Sequence, residues 1–349
     1  MHIETAGPAT LRDLAGLSFT SLRRSDAASR HATAPVFIVG SPRSGTTFVQ
    51  SLISCSREIA VAPEHDFLLR FLPKYGDCNF QAPGTPEKFV ADLFALPATR
   101  FWHIEQDRLL ASLGASRPSR YADVVRLTYE HFARCQNDVQ RWGAKVPFFA
   151  LHVDVLCRTF PNVQVIHVVR DGRDVLASMR ERTRRGARHF PQDARFAALR
   201  WRQFIRSANQ GSRLLTPGHY LELRYEDLVG DVSGHVRILE QFLGCSMSDV
   251  AANHYEHAMK GAVVHSDEVD RYLHPGVIDS SIGRWRRELG PSDVQWFEAI
   301  AGAELRSKGY RTSSSPLHLR LMAGATSGAY SIYRRFPKAL KPTIRQHVS

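Results

Sequence analysis

Residues 36–47 read Val-Phe-Ile-Val-Gly-Ser-Pro-Arg-Ser-Gly-Thr-Thr, an apolar run followed at once by a loop able to hold a phosphate. From Gly40 the spacing is G-x-x-x-x-G, but Thr46 stands where a triphosphate-hydrolysing loop carries Lys. That Lys reaches the β- and γ-phosphates, so its absence argues for a nucleotide without a triphosphate. Gly40 and Gly45 let the backbone curl until several N–H groups point inward, and Ser44, Gly45, Thr46 and Thr47 lead into a helix whose positive end faces the same spot. Arg43 is the cation of the loop. An ordinary Gly/Ser-rich turn is the competing reading, so one motif alone decides nothing.

A second motif occupies residues 163–180. Val163 to Val169 is another β-branched run that fits a buried parallel strand; Arg170 closes it, and Asp171-Gly172 turns the chain into a helix carrying Ser178. An Arg at the end of a strand plus a hydroxyl on the adjoining helix makes a phosphate clamp: the guanidinium supplies a planar fork of donors, the serine a neutral one. Taken singly, the same residues would be a surface Arg-Asp pair and a helix-interior Ser.

The two motifs together resemble the sulfotransferase family that uses 3′-phosphoadenosine 5′-phosphosulfate (PAPS), and within it the bacterial and protein-tyrosine branch. Further blocks follow in the family's order: Lys145-Val146-Pro147, Arg224-Tyr225-Glu226-Asp227-Leu228 and Ser281-Ile282-Gly283-Arg284-Trp285. The resemblance covers about residues 35–310. It implies that the first motif holds the 5′-phosphosulfate and the second the 3′-phosphate, through Arg170 and Ser178. It further implies that Arg43, Lys145 and Ser281 stabilise charge on the bridging oxygen and that Tyr225 meets the adenine. Arg284 or Arg286, flanking Trp285, would close over the nucleotide. The general base would be Glu64, with the adjacent His65 competing for the role. An apolar lid of Phe67, Leu68 and Leu69 nearby would raise the basicity of Glu64 by desolvation.

The positioning elements can be placed coarsely. Phe48, Val49, Leu52 and Ile53 share one helical face; Pro147 to Phe160 reads as a helix with Pro in its first turn; Phe196 to Ala208 reads as another. Leu221 and Leu223 alternate as a strand, Val236 to Leu243 ends at a Gly stop, and Ser292 with Gln295 suggests a capping box before a final helix. Strands alternating with helices imply an α/β, P-loop NTPase-like, three-layer fold with a mostly parallel sheet flanked by helices. Residues 1–34 read as a polar extension, 35–310 as the sulfotransferase domain, 66–140 within it as a lid and acceptor wall, and 311–349 as a basic amphipathic tail.

Composition sets limits around this. The chain of 349 residues is 43% hydrophobic, ample for a core, and carries a net charge of +12. A multiply anionic nucleotide accounts for part of that charge. Arg180, Arg182, Arg184, Arg185 and Arg188 exceed the need, as does the tail, whose Arg320, Arg334, Arg335, Lys338, Lys341 and Arg345 are interleaved with apolar residues. Such a tail can lie on an anionic membrane surface, or be a solvated helix with a few core anchors. No recognition motif for nucleic acid accompanies the charge. Five scattered cysteines without C-x-x-C spacing favour reduced thiols, and neither they nor the sixteen histidines suggest a metal site. No signal-peptide core and no membrane-spanning run is present, so a cytoplasmic location is expected, with peripheral membrane contact through the tail.

The expected chemistry is in-line transfer of a sulfuryl group from PAPS to a hydroxyl or amine acceptor, without a metal. A P-loop phosphoryl transferase is the alternative, opposed by Thr46 and by the lack of a clear magnesium-binding strand end. A non-catalytic nucleotide-binding protein is the other. The acceptor is not encoded in any motif, and lipid, glycan, metabolite and peptide all fit; oligomeric state is equally open.

Overall fold

Val36–Gly40 (β1) is apolar at every position because both of its faces are covered. The computed structural model describes residues 34–136, 139, 141–186, 190–247 and 281–313. Among them, Ile59–Ala62 (β2), Arg141–Lys145 (β3), Gln164–Val169 (β4) and Tyr220–Arg224 (β5) join β1 in one sheet of order β2-β3-β1-β4-β5. Every neighbouring pair is parallel, with Ile38 opposite Lys145 on one side and Gly40 opposite Val168 on the other. This is the α/β three-layer arrangement expected from the alternation of elements.

Side-chain alternation divides the central strand between two cores. Phe37 and Val39 face Trp142, Ala144 and Val165, whereas Val36 and Ile38 face Val61, Ile166 and Val168. The first face is covered by Phe67–Tyr75 (α2), Thr85–Phe94 (α3), a 3-10 helix Pro97–Trp102, Gln106–Ser116 (α4), Tyr121–Cys135 (α5) and Val153–Thr159 (α6). The second is covered by Thr46–Ile53 (α1), Tyr225–Gly230 (α9) and Val232–Leu243 (α10). A third cluster around Val169 joins Gly172–Arg184 (α7), Ala194–Ser212 (α8), Trp285–Glu288 (α11) and Pro291–Ser307 (α12). No described helix is long and apolar enough to cross a membrane.

Several local expectations change. The helix expected from Pro147 to Phe160 is a 3-10 helix over Pro147–Leu151 followed by α6, because His152 leaves helical geometry at φ −138°. No Ser292 cap is made: α12 starts at Pro291, preceded by Gly290 as a cap without a side-chain bond, so proline's fixed φ sets the start. The edge strand β2 and its neighbour β3 were not legible as strands. β2 has four residues, and β3 reads Arg-Trp-Gly-Ala-Lys, with a charge at each end of a fully buried strand. Arg141 tolerates burial because its guanidinium donates to the carbonyl oxygens of Ala34 and Leu243 and to Gln164 Oε1. The tail beyond residue 313, Arg188 and the extension up to residue 33 lie outside the described residues.

Candidate active site

All five strands end at the same edge of the sheet, and chemistry-bearing residues follow each end. The Gly40 loop follows β1, Glu64 lies two residues past β2, Lys145 ends β3, Arg170 follows β4 and Tyr225 follows β5. Because β1 lies between β3 and β4, Lys145 and Arg170 flank the loop one strand away on either side, Lys145 level with Ile38 and Arg170 two residues past Val168, the partner of Gly40.

The loop requires its two glycines. A Cβ on Gly40 would lie 2.5 Å from the Val168 carbonyl oxygen. One on Gly45, at φ +94°, would lie 2.3 Å from the Tyr225 ring. Arg43 adopts φ +72°, a strained conformation for a side-chain-bearing residue. From there its Nε donates to Ser178 Oγ at 3.2 Å, joining the first motif to the second. Ser44 turns inward, its hydroxyl donating to the Ser41 carbonyl at 2.6 Å, so it shapes the loop. Thr46 is buried and Thr47 half-buried at the start of α1, where the helix's first amides point back into the loop.

Arg170 is 5% exposed and donates to the carbonyl oxygens of Arg43 at 3.1 Å and Ser281 at 2.6 Å. Its guanidinium lies 4.6 Å over the Tyr225 ring, its Nε has no hydrogen-bond partner, and no described carboxylate approaches within 4.0 Å of it. Tyr225 also shares a hydrogen bond with Ser281 Oγ at 3.0 Å. Arg43, Ser178, Arg170, Tyr225 and Ser281 therefore form one constellation from four separate stretches of sequence. A buried guanidinium whose hydrogen bonds go to carbonyl oxygens, with its carboxylate neighbours Asp174 and Glu226 out of ion-pair reach, is suited to an anion.

On the other flank, Lys145 Nζ donates to Glu64 Oε2 at 3.0 Å. The Lys145 side chain is 11% exposed and that of Glu64 45%. The desolvation expected around Glu64 is absent, since Phe67 and Leu68 turn into the core instead of covering the carboxylate. His65 behaves oppositely. It is 1% exposed, its Nδ1 accepts from the Phe67 N–H at 3.2 Å, and its Nε2 lies 2.9 Å from Thr99 Oγ1. Thr99 Oγ1 donates to the Leu93 carbonyl, so Nε2 must carry the proton given to Thr99. Neither nitrogen is left for an acceptor, and burial pushes the ring down to about 4.

The last block divides. Ser281 joins the constellation, but Arg284 is turned away to Glu181 at 2.7 Å and Glu288 at 2.8 Å. Trp285 is a core residue with the Arg173 guanidinium 3.9 Å over its ring, and Arg286 is exposed against the same ring. The expected basic patch after Ser178 is likewise mostly consumed: Arg180 pairs with Asp293, Arg184 with Glu288 and Arg185 with Glu181.

Supporting residues escaped the sequence reading. Asp174, 1% exposed, accepts from the backbone N–H groups of Gly283 and Trp285. Glu226 accepts from the Asp171 N–H at 2.9 Å and from Tyr310 Oη at 2.8 Å, steadying the residue after Arg170. Burial raises the carboxyls of both Asp174 and Glu226 above the ordinary range. The available signal was charge density, Arg-Asp-Gly-Arg-Asp at 170–174 beside an apolar strand, which invites the question of what neutralises it. Among the described residues, no group of three or more His, Cys, Asp or Glu side chains is arranged to hold a metal ion.

Comparison with known proteins agrees with this architecture. The sulfotransferase family model matches residues 35–249. The omega-hydroxy-beta-dihydromenaquinone-9 sulfotransferase Stf3 of Mycobacterium bovis is 25% identical over 245 residues, covering 61% of this chain and 63% of that protein. Protein-tyrosine sulfotransferase 2 of Gallus gallus is 25% identical over 288 residues, covering 80% of this chain and 70% of its own length. The chain thus spans less than two thirds of the mycobacterial relative. Among solved structures, the sulfotransferase domain from the curacin biosynthetic pathway superposes with a TM-score of 0.52 at 18% identity, over 80% of this chain and 99% of that one, a likeness of fold.

Proposed function

The chain belongs to the sulfotransferase family, and on that premise we propose that it transfers the sulfuryl group of PAPS to a hydroxyl acceptor. The observation that supports this most is Arg170, a buried cation that donates to carbonyl oxygens and has no described carboxylate within 4.0 Å, although the buried Asp174 and Glu226 lie close enough to feel its charge. An unpaired buried charge is unfavourable, and a phosphate group relieves it.

In this reading Arg170 and Ser178 hold the 3′-phosphate, while Arg43 and the amides of residues 45–47 hold the 5′ end, the Ser44 amide being committed to the Ser41 carbonyl. Tyr225 backs Arg170 and packs against Gly45, which leaves it 6% exposed, and any adenine contact comes from that small remaining surface. Arg286 is better placed than Arg284 to close over the nucleotide, because Arg284 already has two carboxylates. Glu64 takes the acceptor proton as the new oxygen–sulfur bond forms, and its half-exposed side chain is open to an incoming hydroxyl. Lys145 and Ser281 meet the negative charge left on the bridging oxygen as the old bond breaks. Thr46 in place of Lys disfavours the phosphoryl-transfer alternative.

Residues 66–140 form the acceptor wall on the face of the sheet beyond Glu64. The relatives' names point to an omega-hydroxylated dihydromenaquinone and to protein tyrosine, two acceptors to try first. Peripheral membrane contact through the tail belongs to the same proposal and suits the first of them. Calorimetric binding of 3′-phosphoadenosine 5′-phosphate (PAP) against ADP and ATP tests the reading. Tight binding of PAP alone, weakened in Arg170→Ala, is the expected result; equal ATP binding that ignores the substitution would overturn it.

A further inference from the structure

Asp174 is a buried carboxylate that no step above uses. It sits in the first turn of α7, one turn beyond Arg170, where an anion is favoured by the helix amides. Its Oδ2 accepts from Gly283 N–H at 2.7 Å and its Oδ1 from Trp285 N–H at 2.9 Å. The same short segment is gripped from its other end by Arg170, whose Nη2 donates to the Ser281 carbonyl. Residues 281–285 are thus held by a guanidinium on a carbonyl and by a carboxylate on two amides, both from the β4–α7 junction.

The two grips differ in what a phosphate would do to them. A phosphate bound by Arg170 competes for its guanidinium donors, weakening the bond to the Ser281 carbonyl. The Asp174 bonds face away from that competition, since both donors are backbone amides of the segment itself. Gly283 adopts φ +66°, a left-handed conformation that glycine takes without strain and that turns its N–H toward Asp174.

We propose that Asp174 is a positioning residue that keeps Ser281 at the bridging oxygen once the donor nucleotide has engaged Arg170. The inference rests on the sulfotransferase reading and on the role given there to Ser281. Asp174→Asn retains a single acceptor oxygen and can keep only one of the two amide bonds. Its turnover should fall about tenfold, the loss of one charge-assisted hydrogen bond, with PAP affinity changing only a few-fold.

A double-mutant cycle with Ser281→Ala separates positioning from general structure. If Asp174 acts through Ser281, the double variant is no slower than Ser281→Ala, whereas multiplied losses would overturn the proposal. Hydrogen exchange at the Gly283 and Trp285 amides gives an independent reading: both should be slow in the unaltered protein with PAP bound, and at least one should become fast in Asp174→Asn. Fast exchange in the PAP complex of the unaltered protein would overturn the proposal even if Asp174→Asn fails to fold. Normal turnover of Ser281→Ala with exchange still dependent on Asp174 would instead sink the assigned role of Ser281, leaving the contacts intact.

Discussion

Arg170 and Arg173 lie three residues apart, on either side of the start of α7, and are both buried, at 5% and 1% exposure, yet their surroundings differ. Arg173 donates to Asp171 through Nε and Nη2 and to Glu298 through Nη1, so its charge is closed within the protein. Arg170 has carbonyl oxygens and a tyrosine ring instead. Glu64 and His65 repeat the contrast in adjacent residues: the carboxylate pairs with Lys145 and stays half-exposed, while the imidazole is sealed between Phe67 and Thr99. In both pairs, residue type fails to separate scaffold from chemistry; what separates them is whether the polar valences are filled from inside.

The sharpest way to break this comparison is to open the closed member. Arg173→Ala leaves Asp171 and the fully buried Glu298 without their cation, which should cost about 3–5 kcal/mol of stability. Urea denaturation measures it, and a loss below about 1 kcal/mol would mean that the Arg173 network is as dispensable as a surface pair.

The next test uses acidity. The folded protein binds a proton at His65 only near pH 4, against an ordinary 6.5, so the unfolded chain holds more protons between those values. Stability attributable to His65 is therefore complete above about pH 6.5 and is lost as the pH falls toward 4, by roughly 3 kcal/mol. Below pH 4.5, Glu222 adds a loss of the same sign: its bonds to His167 and Lys308 outweigh burial and hold its carboxyl at about 2. In His65→Asn the melting temperature should start lower at pH 7 but fall less between pH 6.5 and 4. An unchanged slope would show that His65 is not closed off as its hydrogen bonds indicate.

How much of this was legible follows the same division. The loop, Arg170, Ser178 and the strands β1, β4 and β5 announce themselves, because a strand buried on both faces must be apolar and a phosphate loop must contain glycine. β2 and β3 do not: one is too short to show a period, and the other depends on Arg141 finding partners in Leu243 and Gln164, far along the chain. The roles proposed for Glu64, Lys145 and Ser281 came only with the family resemblance, since no local spacing distinguishes a catalytic carboxylate from a loop carboxylate. The engagement of Arg284 is one that composition cannot reveal, since Glu181 and Glu288 come within reach only once α7 and α11 pack together.

The open members should fail in function while the fold persists. Glu64→Gln removes the proposed proton acceptor, so turnover should drop about a hundredfold with PAP affinity unchanged. Near-normal turnover would move the base elsewhere, and the sealed geometry of His65 would then exclude the most obvious substitute.

Arg170→Met is the mildest change and the one that isolates charge. It retains a straight apolar stem against Tyr225 while deleting the guanidinium, along with the bonds to the Arg43 and Ser281 carbonyls. Two hydrogen bonds of about 1 kcal/mol each are lost, but a buried charge without a described carboxylate partner is removed as well, so stability should stay within about 1 kcal/mol. PAP affinity should fall ten- to a hundredfold, roughly the worth of a charge-assisted phosphate contact, and the salt dependence of binding should flatten. If Arg170→Met instead unfolds the protein as Arg173→Ala is expected to, the two arginines are equivalent scaffold and the distinction between filled and unfilled valences is void.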